Sequence, residues 1–466
     1  MKRLFAAFIA IMLLVTSVSA RTVSGSVVCG KKKLPGVIVT DGTNFTTTGK
    51  NGKFTFDIQD SAAFVYIITP SGYAADWSSG VPAFYQKASG KDDFVFELKS
   101  LGSADKYNIL AVGDPQPRSD AQFDEMAGRP LDDIARTAES IDGLTVGIVL
   151  GDVCYDKLHL LPKWKQQVVR TGIPFYTAPG NHDHDMAYKD DVQSINAYRD
   201  ILGPENYALF LGDDIMIVLD NIIYDGGRNS YKEGYTDAVL DWVEGLLEHI
   251  GDDADIYVAQ HSPLNGRNNR KMVIGHERML DILSGHNVSF LSGHNHIHGN
   301  FEYAENVREH NVAALCGTWW DTYHCKDGTP RGYKVFTKDE DGLRWYYKSV
   351  DRDRNFQFEM FAPGQCRNNP ESVVVNVWDY DPCWRVEWFE DGVYKGLMMQ
   401  VDEYSPLHEK EIFDVYDAKG RKASEYKKTI PARHYFAAIP SENTTDFMVK
   451  VTDRFGNVWT ETLPLK

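Results

Sequence analysis

Five short polar clusters in this chain carry side chains that can bind metal ions or move protons. They are Gly113-Asp114-Pro115-Gln116, Gly151-Asp152, Gly180-Asn181-His182-Asp183, His261 and Gly293-His294-Asn295-His296. Each follows a short apolar run. Taken singly, each has a bland reading. A Gly-Asp pair after a strand is a turn, Gly-Asn-His-Asp is a solvated turn, and a lone histidine is a satisfied core or surface group. His294 and His296 are two apart, so on an extended chain they point the same way, a geometry suited to metal binding. What argues against coincidence is the recurrence of all five at the ends of apolar runs.

The elements that must hold these clusters can be read from periodicity. The runs Asn108 to Val112, Val146 to Leu150, Ile173 to Tyr176, Ile256 to Ala259 and Val288 to Ser292 read as buried strands. Between them lie helical patterns: Pro130 in a first turn followed by Leu131, Ile134, Ala135, Ala138 and Ile141, and the stripe Val239, Trp242, Val243, Leu246, Ile250. Strands alternating with helices predict an α/β domain of layered sheets over residues 105–350. Polar residues repeated just after strand ends place a ligand site along one sheet edge.

On either side the pattern becomes all-β. Residues 21–100 alternate at Val23 to Val28 and turn at Leu34-Pro35-Gly36, Asp41-Gly42 and Asn51-Gly52. Strands follow at Phe54/Phe56, Phe64 to Ile68 and Phe94 to Leu98, which predicts a small β-sandwich. Residues 371–466 predict a second one, from Val373 to Trp378, a hairpin around Asp391-Gly392, Ile412 to Tyr416, Phe436 to Ile439 and Phe447 to Val451. Arg352 to Pro370 is polar and irregular and reads as a linker.

The first twenty residues read as a signal peptide: Lys2 and Arg3, an apolar stretch from Leu4 to Val15, then the small residues Val18-Ser19-Ala20. The expected location is periplasmic or extracellular, with no transmembrane segment in the mature chain. The formal charge is −17; without Lys2 and Arg3, 47 basic residues face 66 acids, a balance of −19. Such a surface excludes nucleic acid as the expected partner, and an anionic substrate would need local cations. Six cysteines do not make a disulfide scaffold; Cys316/Cys325 and Cys366/Cys383 are near in sequence, with free buried thiols the equal alternative.

With its five clusters in order, the central region resembles the calcineurin-like metallophosphoesterase superfamily. That family's pattern runs Asp-x-His, Gly-Asp, Gly-Asn-His-Asp/Glu, His, Gly-His-x-His, and four of the five blocks match in full. The flanking regions are similar to the sandwiches of exported bacterial members, the first also resembling a carboxypeptidase-regulatory-like sandwich. The resemblance implies a central two-sheet αββα sandwich between two small β-sandwich domains. It implies two divalent or trivalent metal ions (Mn, Fe or Zn) bridged by Asp152. Asp114 and His296 fall to one metal, with Gln116 in place of the usual His; Asn181, His261 and His294 fall to the other. A mixed nitrogen and oxygen shell agrees with these metals and argues against Ca or a thiolate site. The implied reaction is hydrolysis of a phosphate mono- or diester of a small substrate by a metal-bridging water. His182 is implied as the general acid or as a stabiliser of phosphoryl oxygens.

Two departures stand out. Gln116 offers an amide where imidazole is expected. Tyr155 occupies the position three after the bridging Asp, where relatives carry a ferric-binding Tyr or an Asp that orients the catalytic His, and Asp156 comes one residue late. Tyr155 is read as an aromatic behind the metal ligands. Arg118, Trp319 and Trp320 are candidate substrate-binding residues, and Asn265, Arg267, Asn268 and Arg270 form a polar loop after His261. The competing reading is a catalytically silent, metal-containing protein that binds glycans or surface partners. Oligomeric state is not legible in the sequence.

Overall fold

The computed structural model describes residues 20–226, 230–267 and 271–466. The signal-peptide reading of residues 1–19 and the loop residues Asn268 and Arg270 lie outside the described residues. Among the described residues no helix is long and apolar enough to cross a membrane.

The central region is a mixed α/β core of two sheets. The first has five strands in the order Phe175–Ala178, Leu144–Leu150, Tyr107–Val112, Gly332–Asp339, Gly342–Ser349. Its first three strands are parallel; Gly332–Asp339 runs antiparallel to them, and Gly342–Ser349 antiparallel to that. The second has six strands, in which Asp214–Val218, Ile256–Ala259, Val288–Ser292 and Val307–Asn311 are mutually parallel. Every residue of Tyr107–Val112 and Leu144–Leu150 is buried, as expected of parallel strands covered on both faces. The sheets meet face to face where the Tyr107 and Tyr257 hydroxyls lie 2.8 Å apart. Outside the first sheet, helix Arg129–Ser140 reaches strand Gly332–Asp339 through Thr137 and Asp133, both hydrogen-bonded to the Tyr333 hydroxyl. Trp164 of helix Leu161–Gln167 packs edge-on to Phe175.

The two flanking regions attach differently. The N-terminal one is a pair of β-sheets of five and four strands. It continues the central hydrophobic core without a break. Thr69 bridges to Leu209 on a sheet edge, and Phe84 packs on Tyr207 at 4.7 Å. The C-terminal one has two four-stranded sheets and its own core around Val373, Val386, Phe447 and Val449. It meets the centre through polar contacts, Lys334 to Asp379 at 2.6 Å, Thr318 to His408 at 2.9 Å and His324 to Glu411 at 2.9 Å, and through a few aromatic ones such as Phe455 on Trp345 at 4.9 Å.

Two expectations for this region are corrected. Ile412 to Tyr416 is not a strand. Pro406–Val415 is a helix, capped by the Ser405 side chain accepting from His408 N, with Pro at its first turn. Its buried residues, His408 and Ile412, recur at helical spacing, which a short apolar run alone does not reveal. The stretch read as a linker contains strand Glu359–Phe361, which pairs with Val373–Asn376 as part of the C-terminal sheet. All six cysteines are free.

Candidate metal centre

The parallel order of the strands brings the five clusters together. Tyr107–Val112, Leu144–Leu150 and Phe175–Ala178 end side by side in one sheet, Ile256–Ala259 and Val288–Ser292 in the other. Parallel neighbours release their loops on the same edge, so residues distant in sequence converge there. A backbone bridge from Gly113 to Ala314 joins the two edges.

The loops turn sharply. Among the described residues ten non-glycine residues have positive φ, and eight lie here: Asp114 (42°), Gln116 (45°), Asp152 (52°), Asp156 (52°), His294 (70°), His296 (53°), Trp319 (52°) and Trp320 (64°). A left-handed residue costs on the order of 1–2 kcal/mol, so surrounding contacts must hold it. The expected extended chain at His294 and His296 is therefore wrong. Their left-handed turns send the two rings apart, His294 towards His261 and His296 towards Asp114. Two motif glycines exist for close approach. A Cβ on Gly180 would lie 2.2 Å from Asp152 N, and one on Gly293 would lie 2.6 Å from Asp114 Oδ2.

Around Asp152 the donors form two groups. In the first, His261 Nε2 lies 3.3 Å from Asp152 Oδ1, 3.1 Å from Asn181 Oδ1 and 3.0 Å from His294 Nδ1. The opposite ring nitrogens are occupied: His261 Nδ1 faces the Leu150 carbonyl at 2.8 Å, and His294 Nε2 faces Glu233 Oε1 at 3.0 Å. With those nitrogens donating, His261 Nε2 and His294 Nδ1 are lone pairs aimed at the same space. Two lone pairs and an amide oxygen at such spacings repel unless a cation lies among them. Asp152, His261 and His294 are all buried and form a compact group able to hold a metal ion.

The second group is less complete. Asp114 Oδ1 and Gln116 Oε1 are buried without a hydrogen-bond partner, and His296 Nε2 is 3.4 Å from Asp114 Oδ1. Asp114 Oδ2 accepts from His294 N at 2.9 Å, which fixes the carboxylate. Gln116 Nε2 donates to Asp152 Oδ2 at 2.6 Å. A half-turn of this amide about its terminal bond exchanges its nitrogen and oxygen and would present the oxygen instead. The donor set in both groups fits a metal ion.

Electrostatics point the same way. Burial works against charge on His261, but Asp152 outweighs it and raises its pKa to about 10, so without a metal ion the ring takes a proton on Nε2, the place a bound cation would fill. Burial also works against charge on Asp152, yet His261 and His182 pull its carboxyl below the usual range. His294 is pushed down by burial and by His261 against the pull of Glu233. The cluster thus favours a neutral His294 and attracts positive charge to its centre.

His182 sits at the rim. Its amide donates to Asp152 Oδ1 at 2.9 Å, and its Nδ1 lies 2.6 Å from Asp156 Oδ1. Asp156, one residue late in the linear pattern, reaches the ring because its own left-handed turn takes up the extra residue. Tyr155 stacks on His182 with ring centroids 4.1 Å apart. Asp183, the motif's last residue, faces inward. It accepts from the amides of Val153, Cys154 and Gly180 and ties two loops together. Burial and the Asp152 charge push it up to about 6.

The three substrate candidates separate. Trp319 stacks on His296 at 4.6 Å. Arg118 donates to the Trp319 carbonyl at 2.7 Å and faces Asp321 at 3.5 Å, so it anchors that wall. Trp320 turns inward, and its indole donates to the Pro115 carbonyl at 2.9 Å. Sequence reasoning passed over Glu233, the carboxylate behind His294. It lies in the short strand Tyr231–Glu233 with no motif around it, so no local signal could have found it.

Residues 107–298 match the family model described as calcineurin-like phosphoesterase. Residues 21–101 match the N terminal of calcineurin-like phosphoesterase, and residues 309–459 its C terminal. Among solved structures the chain is similar to a dimetal phosphatase from Danio rerio, at 12% identity and TM-score 0.37, over 52% of this chain and 96% of that one. It is also similar to a 5'-nucleotidase from Candida albicans, at 11% identity and TM-score 0.33, over 52% of this chain and 51% of that one. A 5'-nucleotidase precursor from Thermus thermophilus matches at 11% identity and TM-score 0.32, over 53% and 54% of the two chains. No curated protein matches.

Proposed function

The chain belongs to the calcineurin-like phosphoesterase family, a hydrolase family, and from that premise we propose that it hydrolyses a phosphate mono- or diester of a small molecule at a dinuclear metal site. The observation that carries this reading is the pair of donor groups on either side of Asp152, one converging at His261 and His294 and the other holding buried oxygens of Asp114 and Gln116 without a hydrogen-bond partner. Asn181, His261 and His294 would hold one ion, Asp114, Gln116 and His296 the other, with Asp152 between them. When bound, such ions offset phosphoryl charge and activate the attacking water.

The chain's own residues do the rest. Glu233 and the Leu150 carbonyl fix the two ring orientations, so that the ligand nitrogens need no reorganisation. His182, with Nδ1 held by Asp156, keeps Nε2 for the leaving oxygen and delivers a proton there. Trp319, fixed by Arg118, walls the site beside His296. Cations held there would offset the charge of a chain at −17.

Export to the periplasm or beyond, after removal of residues 1–20, is part of the same proposal; it rests on the charged, apolar and small-residue order of that stretch. N-terminal sequencing of the secreted protein checks it. One observation favours the catalytically silent alternative, the Gln116 amide donating to Asp152 where a second ion would bind. Metal analysis together with hydrolysis of p-nitrophenyl phosphate and bis(p-nitrophenyl) phosphate separates the two. Metal content with turnover supports the enzyme, and metal content without turnover of either ester supports the binder.

A further inference from the structure

Lysines inside this protein are paired with carboxylates. Lys334, Lys348 and Lys427 are the buried lysines among the described residues. Lys334 meets Asp379 at 2.6 Å, Lys348 meets Asp133 at 2.8 Å, and Lys427 meets Asp321. Lys326 breaks that rule. It is half-buried in the loop that follows Trp319 and Trp320, and its ammonium has no hydrogen-bond or ion-pair partner among the described residues.

Its position is defined nonetheless. Lys326 Nζ lies 5.7 Å from the centroid of the Trp319 ring, and that ring stacks on His296 at 4.6 Å. The Lys326 carbonyl accepts from Ile430 N at 3.0 Å, which fastens this part of the loop to the C-terminal region. From that region Tyr426 also packs edge-on against Trp319 at 5.4 Å. Across the mouth, Arg267 donates its amide to Glu233, the carboxylate that holds His294. Burial is the main force pushing the Lys326 pKa down; of the charges it feels through space, Asp327 next to it raises it most, Arg267 lowers it and Asp114 raises it more weakly. A partly desolvated ammonium without an acceptor is costly, and a chain so rich in acids could readily have paired it.

We propose that Lys326 is a substrate-binding residue whose ammonium, seated on Trp319, takes an anionic oxygen of the bound phosphate ester. This rests on the phosphoesterase reading above and adds the residue through which the C-terminal region shapes the site. An ammonium binds phosphate oxygen as a compact point charge, and the aromatic face holds it without competing for the anion. A monoester carries more charge than a diester and gains more from this contact.

The test uses the Mn-loaded full-length protein and Lys326→Met. Inorganic phosphate binding is followed by calorimetry, and the two p-nitrophenyl esters by steady-state kinetics. Losing a charge-assisted contact should raise the phosphate Kd and the monoester KM by ~10–100-fold. The expected diester effect is smaller, with kcat within about 3-fold, because the contact serves ground and transition states alike. Lys326→Arg should recover much of the loss. An unchanged Kd and KM in Lys326→Met overturns the inference, as does loss of metal from the variant, which would make the residue structural. Should Lys326→Met not fold, Lys326→Gln carries the same measurements. If the parent itself turns over neither ester and binds no phosphate, the phosphoesterase reading fails; if the parent is active and the variant matches it, only the role of Lys326 fails.

Discussion

The two halves of the donor cluster are built to different standards. Around His261 and His294, each ligand nitrogen is aimed by an acceptor on the far side of its ring, the Leu150 carbonyl or Glu233. Around Asp114 and His296, the oxygens Asp114 Oδ1 and Gln116 Oε1 are buried without a hydrogen-bond partner, and the Gln116 amide nitrogen donates to the shared carboxylate. A histidine held from behind is a better base and loses less freedom on binding. An amide oxygen is a weaker, harder donor. Under the proposed dinuclear reading, the comparison makes the His261 side the tighter metal position and the Asp114 side the looser one.

The largest effect should come from the residue common to both halves. Asp152→Asn removes the shared charge, so both positions should weaken together and turnover should fall by several orders of magnitude. Elemental analysis after dialysis would show less than one metal per chain. A variant that loses only one metal would mean that the halves do not share this ligand.

Next comes His182, which belongs to neither half. His182→Ala should keep the parent's metal content and lose roughly 10²–10⁴ in rate, the scale of general acid–base work. Burial opposes charge on this ring, but Asp152 and Asp156 outweigh it and raise its pKa. An acid must be protonated to act, so activity should fall as pH rises through that raised value. Asp156→Asn removes one raising charge and should move the falling limb to lower pH. A limb that stays in place would assign the titration to another group.

Glu233→Gln sharpens the comparison by downgrading the better half. Loss of the carboxylate behind His294 should weaken that position by ~10–100-fold in metal affinity, leaving the Asp114 half unchanged. Competition with a chelator reads both.

Legibility in the sequence followed locality. Asp114, Gln116, Asp152, Asn181, His261, His294 and His296 each sit two to four residues beyond a strand, so periodicity and a short motif together picked them out. Strand Glu359–Phe361 escaped because it is only three residues long in a polar stretch, and helix Pro406–Val415 because its apolar residues read as a strand. Asp156 could not be placed from spacing alone, which puts it one residue late; the structure brings it to His182 through a left-handed turn with φ of 52°. Glu233 and Lys326 carry no motif. Their meaning comes from what folds against them.

The smallest effect concerns the support beneath the tighter half. Glu309 is fully buried and accepts from Leu264 N, Ser292 Oγ and the Tyr303 hydroxyl. Burial raises it to about 7. An unfolded glutamate loses its proton near pH 4.3, so between roughly pH 4.3 and 7 the folded chain holds the extra proton. Stability should therefore fall as pH rises through that window, by up to about 1.4 kcal/mol per pH unit. Glu309→Gln should flatten the slope in denaturant melts; an unaltered slope would place the titration elsewhere.

The central claim is that Asp152 bridges two metal ions of unequal affinity. Anomalous scattering from crystals of the Mn-loaded protein tests it most directly. Two peaks about 4 Å apart are expected, the stronger bounded by Asn181, His261 and His294 and the weaker by Asp114, Gln116 and His296, with Gln116→His raising the weaker one. A single peak that persists at high Mn, in the parent and in Gln116→His, would contradict the account.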